Sequence, residues 1–230
     1  MKHFYLYLSI ICLSTLLICC SNNDDTKFEE EQPVNELITN GKNFALIHNE
    51  GLSYMYDKLK NQEKTKAITF GSKDFTNTVV TLANAFIDEK SSTTRADEKI
   101  TNEQYEQSLE EIRSNIPQAD MKYINMVSNE NVDIDALLQE VSTDPQLPTI
   151  NKQAVICYIT TYVASSEYWQ EHYTDWAELL NITLTRTRFN WKNAAVADAL
   201  YGYQGLLFSG FNLVMGGASA AVGSVLSGLE

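Results

Sequence analysis

The chain has 230 residues, 44% of them hydrophobic, and carries 30 acidic against 17 basic side chains for a formal net charge of −13. A balance this acidic excludes the basic face that a nucleic-acid binder turns toward phosphates. The length suffices for one sizeable core or two small helical subdomains sharing one.

Residues 1–19 read as a secretory leader, because Lys2 precedes an apolar stretch that runs, nearly unbroken, to Cys20. Ser21-Asn22-Asn23-Asp24-Asp25 follows with no basic cluster to stop transfer, so cleavage is favoured over a retained span. The segment Leu16-Leu17-Ile18-Cys19-Cys20-Ser21 resembles the lipobox of bacterial lipoproteins, with Leu17 three residues before Cys20 and the compact Cys19 just before it. That resemblance implies lipidation at Cys20. Ser21 after the cysteine resembles the outer-membrane sorting default, and Asp24, Asp25, Glu29, Glu30 and Glu31 resemble the export tether of surface lipoproteins. Residues 20–35 are therefore expected to be the lipidated cysteine and a flexible acidic tether, with the domain over 36–230.

From there the pattern is helical. Phe44, Ile47, Leu52, Met55, Tyr56 and Leu59 share one side of a helix. A second helix is expected from an N-cap at Ser72 through Ile87, then a loop over 89–99. Thr101 with Gln104 has capping-box spacing and predicts a third helix ending before Pro117. Short helices follow over 118–128 and 133–142, a long one over 149–165 and another over 167–180. Strand character is clearest over 182–189, with 67–70 as a partner at most.

Residues 199–229 contain no charged side chain and break at Ser209-Gly210-Phe211-Asn212, which predicts a tight hairpin of two helices over 190–229. On its second helix Gly216, Ala220, Ser224 and Gly228 fall four apart, with Ser219, Gly223 and Ser227 in the adjoining row. Such a side-chain-poor face suits close approach of another backbone, either inside the domain or, as in membrane helices, against a partner. The expected fold is all-α, an orthogonal or irregular multi-helix domain ending in this hairpin.

Chemistry is sparsely signalled. Histidine outside the leader is limited to His48 and His172, with no cysteine pair and no His-Glu-x-x-His, so neither a metal nor a cofactor is expected. No nucleophile elbow or phosphate loop is present, no catalytic residue is assigned, and an enzyme is not expected. Cys157 lies in an apolar run and reads as a buried thiol. The aromatic group Tyr158, Tyr162, Tyr168, Trp169, Tyr173 and Trp176 reads as core or as the lining of a ligand groove. His48, His172 and Asp198 are the polar residues of interest, Asp198 needing a partner if buried, with Lys192, Arg188 and Arg186 nearest in sequence.

The lipobox, the acidic tether, His48-Asn49-Glu50-Gly51-Leu52, Ser166-Glu167-Tyr168-Trp169 and the Gly/Ala-rich end together look like the small lipoproteins of Bacteroidetes-type gut bacteria. The resemblance implies a cell-envelope location and no particular activity. Two readings follow: a lipid-anchored protein whose helical domain contacts a protein or glycan, or a membrane-active or oligomerising protein that uses the hairpin.

Overall fold

A computed structural model describes residues 33–62, 72–90, 99–105, 107–128, 131–180 and 191–227. The leader, Cys20, the acidic tether, the strand-like segments over 67–70 and 182–189, and Gly228 lie outside these residues. Among the described residues the fold is all-α, with no strand. The helices are α1 (Val34–Gln62), α2 (Lys73–Lys90), α3 (Leu109–Ser114), α4 (Gln118–Val127), α5 (Ile134–Thr143), α6 (Thr149–Leu179), α7 (Trp191–Phe208) and α8 (Leu213–Ser227).

Helix α1 begins ten residues ahead of the first expected apolar position, because Leu37 and Gly41 extend the buried row that continues through Phe44, His48, Leu52, Met55 and Leu59. Ser72 caps α2, its hydroxyl accepting from the Phe75 amide at 3.1 Å. The third helix is shorter than its sequence signal. Gln104 does accept from the Thr101 amide at 3.0 Å, yet the turn it opens is a single 3-10 turn over Asn102–Tyr105. The complete capping box belongs to Ser108 and Glu111, each bonded to the other's backbone amide, and it starts α3.

The expected break between 165 and 167 is absent, and α6 runs 31 residues without interruption. No glycine or proline stands there, and the Ser166 hydroxyl donates back to the Tyr162 carbonyl at 2.6 Å, a bond made inside the helix. The hairpin turn forms as its residues dictate. Gly210 takes φ +60, its amide donates to Leu207 O, and the Phe211 amide donates to Leu206 O, the paired bonds of a Schellman ending for α7. Asn212 then caps α8, its Oδ1 accepting from the amides of Val214 and Met215 at 3.0 and 3.2 Å.

Running directions follow from the contacts. Gln153 reaches Leu37 O and Thr160 reaches Gly41 O, so α1 and α6 ascend together. An added Cβ at Gly217 would meet Ile47 and one at Gly51 would meet Ala221, so α8 ascends with them. Tyr203 shares Asp120 with Asn151, whereas Asp198 lies beside Ser165 and Trp169; α7 therefore descends. One pole thus holds the starts of α1, α6 and α8 and the end of α7.

The interior has two apolar clusters. The one nearer that pole includes Leu37, Phe44, Tyr123, Val141, Ile156 and Leu206. The other includes Leu52, Phe75, Phe86, Trp169, Trp176 and Val222. Helix α8 is buried along its length from Met215 to Val225, apolar on one side and nearly bare on the other, as a helix enclosed by neighbours must be.

Candidate functional site

The seam between the two clusters is polar. His48 stands between Phe44 and Leu52 on α1, Asp198 between Ala194 and Leu200 on α7, Ser165 just before Trp169 on α6, and Ser224 on α8. All four side chains lie in residues at 0% exposure except none: His48, Asp198, Ser165 and Ser224 are each fully enclosed. Each of the four long helices contributes to one node.

The geometry fixes what the node can do. Asn49 donates its amide to Ala164 O, which turns its Oδ1 toward His48 Nδ1 at 2.8 Å and makes Nδ1 the donor. His48 Nε2 then faces Ser224 Oγ at 3.2 Å and Asp198 Oδ2 at 3.5 Å. Asp198 Oδ2 accepts from the Ser165 hydroxyl and from Trp169 Nε1 at 3.0 Å, while Oδ1 has no hydrogen-bond partner among the described residues. A serine, a histidine and an aspartate are together, but the hydroxyl and the carboxylate both lie on Nε2. A nucleophilic triad needs them on opposite ring nitrogens, so that the carboxylate orients the base while the base takes the serine proton. The node is a cross-brace between helices.

Sequence reading singled out His48 and Asp198 separately and did not pair them. It looked for cations near Asp198 in sequence, whereas the groups around the carboxylate come from α1 and α6; Arg186 and Arg188 lie outside the described residues. The missed partners carried a signal. Ser165 and Trp169 are four apart on one helix face, and His48 occupies an apolar row at helical spacing. His172 is elsewhere: its side chain is 39% exposed, 3.9 Å from Glu171, with its ring 4.5 Å from that of Tyr168.

A second enclosed carboxylate had no sequence signal. Asp120 accepts from Asn151 Nδ2 through both oxygens, at 3.1 and 2.9 Å, and from the Tyr203 hydroxyl at 2.6 Å, tying α4, α6 and α7. Burial, with the carboxylate alongside, pushes the Tyr203 phenol far above its ordinary value. Among the described residues no group of three His, Cys, Asp or Glu side chains is placed to hold a metal ion.

The small-residue face is covered from within. A Cβ added at Gly223 would lie 2.2 Å from Tyr201 Cδ2, one at Gly216 2.6 Å from Phe44 Cε2, and one at Gly205 2.5 Å from Ser219 Cβ. Ala220 packs on Gly202, Ser219 receives the Tyr105 hydroxyl at 3.0 Å, and Ser224 belongs to the node. Ser227 ends α8 and Gly228 lies outside the described residues. With α1 and α7 already filling that face, the hairpin has no free helix side to offer a bilayer. No described helix is long and apolar enough to cross a membrane.

Of the aromatic group, Tyr158, Trp169 and Trp176 are core. Tyr162 borders an open groove of about 410 Å³ with Val163, Glu167, Trp191 and Lys192. Comparison with protein-family models, with curated proteins and with solved structures gives no match to this chain.

Proposed function

We propose that this chain is a lipid-anchored protein of the bacterial cell envelope, held through Cys20 at the outer membrane, whose helical domain works by contact with a protein or glycan. The observation that carries the contact half is the enclosure of His48 and Asp198, both at 0% exposure and both turned toward the same ring nitrogen. The groups best suited to acid–base chemistry thus brace helices, and what the domain presents outward is surface. The anchor half is supported by the lipobox-like register of Leu17, Cys19 and Cys20. A diacylated or triacylated cysteine gives lasting attachment, since each buried methylene contributes about 0.8 kcal/mol.

The test is expression of the full chain and of Cys20→Ala in a bacterial host fed a labelled fatty acid. The native chain is expected to carry label and sediment with membranes, and the variant to lose both. Label on neither chain, with equal release, would sink the anchor.

A further inference from the structure

Four large hydrophobic side chains are exposed among the described residues: Leu46 at 61%, Ile150 at 50%, Leu207 at 42% and Phe208 at 64%. Three of them cluster by position in the fold. Ile150 is in the first turn of α6, and Leu207 and Phe208 end α7, so all three lie at the pole where α1 begins. Phe211, in the turn itself, takes φ +70, a conformation that costs a bulky residue energy and is held by the Schellman bonds on either side. The turn carries no carboxylate outward, because residues 199–229 have no charged side chain in a chain whose net charge is −13. An apolar, uncharged tip on an otherwise acidic domain is the part that approaches an anionic surface at least electrostatic cost.

From Cys20 to Val34 is roughly 14 residues, at most about 50 Å fully extended and about 20 Å root-mean-square as a flexible coil. Helix α1 alone spans about 44 Å from its 29 residues at 1.5 Å each. A relaxed tether therefore brings the starting pole of the domain against the bilayer, and contact by the opposite pole would need the tether stretched along the whole domain. We infer that this pole rests on the lipid surface, with Leu207, Phe208 and Ile150 dipping into the headgroup boundary while the hairpin behind them stays packed. This inference rests on the anchor reading above; it replaces insertion of a helix by shallow contact of a turn.

The test uses the full lipidated chain in vesicles of phosphatidylethanolamine and phosphatidylglycerol, with and without brominated acyl chains. The native tryptophans serve as internal controls, since Trp169 and Trp176 are buried and Trp191 starts α7 at the opposite pole. Phe208→Trp adds one indole at an exposed position. Its added emission should shift to the blue on vesicles and fall by about half with brominated chains, as for a side chain about 5–10 Å into the boundary, while native emission is unchanged. A chain that floats with the vesicles but whose added indole ignores bromination overturns the orientation and leaves the anchor standing. A blue shift that follows protein concentration and not lipid overturns it in favour of a second copy. A chain that does not float removes the anchor and the orientation together.

Discussion

His48 Nε2 and Asp198 Oδ2 lie 3.5 Å apart at the meeting point of four helices, with neither side chain reaching solvent. Taking either group out of water is costly, and the cost is offset only while the partner and the donors Ser165 and Trp169 stay in place. Removing the imidazole leaves an enclosed carboxylate, so His48→Leu should lower unfolding stability by about 3–5 kcal/mol. In an Asp198→Asn background, where the charge is gone and an acceptor oxygen remains, the same substitution should cost less by about 1 kcal/mol or more. Urea unfolding of the four chains measures this; equal costs in both backgrounds would mean the two groups are not coupled.

Gly223 and Gly210 matter for different reasons, and their substitutions separate them. An alanine at Gly223 brings Cβ within 2.7 Å of Tyr201 Cβ, an atom too close to the backbone to swing aside, so the helices must part at about 1–3 kcal/mol. At Gly210 there is nothing within 4 Å, and the loss of about 1 kcal/mol comes from φ +60 alone. Gly210→Asn, which tolerates that conformation, should recover most of the loss, and Gly223→Ser should not. Thermal melts of the four variants decide it, and an unchanged Gly223→Ala melt would contradict the close docking of α7 on α8.

The fold was legible where one local signal acts alone. Ser72, Pro117, Gly210 and Asn212 set helix ends through their own side chains or φ angles, and the structure places ends there. It was misread where two signals compete: Thr101 and Gln104 form part of a capping box, but the complete one at Ser108 and Glu111 takes the helix. The node was half legible. An isolated histidine on an apolar row and an aspartate among alanines each announce a buried polar group, but which helices meet there is a tertiary fact with no local trace. Asp120 shows the limit, since Asn151 and Tyr203 come from helices remote in sequence.

Cys157 should be silent in the folded chain. It is enclosed in α6, receives a weak bond from Gln153, and burial pushes its thiol up to about 12. At pH 8 that leaves about one molecule in ten thousand as the reactive thiolate. Brief alkylation followed by peptide mapping should find Cys157 unmodified in the native chain and fully modified in urea. Rapid native labelling would show that α6 is open there.

Tyr123 and Asp144 predict how stability falls in acid. The Tyr123 hydroxyl donates to Asp144 Oδ2 at 2.6 Å, and this bond, followed by that from the Gln146 amide, holds the carboxyl below its ordinary range. A depressed folded value means the carboxylate stabilises the fold above the unfolded value and the contribution is lost as pH falls through the folded one. Tyr123→Phe should therefore flatten the acid limb of a stability–pH curve and leave its slope near neutrality unchanged. An acid limb identical to that of the native chain would remove this pair from the account.

Tyr203 and Tyr201 lie half a turn apart on α7, and both hydroxyls donate to oxygens, yet their removal should differ. Tyr203 donates at 2.6 Å to the enclosed Asp120 carboxylate, whereas Tyr201 donates at 3.3 Å to the Gln107 carbonyl in a partly open setting. A bond to a buried carboxylate contributes about 1.5–3 kcal/mol and an ordinary neutral one about 0.5–1.5 kcal/mol. Tyr203→Phe should then be the more damaging of two otherwise identical substitutions, because it also leaves Asp120 with only the Asn151 amide. Paired urea midpoints read the difference directly. Equal losses would mean that solvent reaches Asp120 once the hydroxyl is gone, and that α4 is held against α7 by its apolar contacts alone.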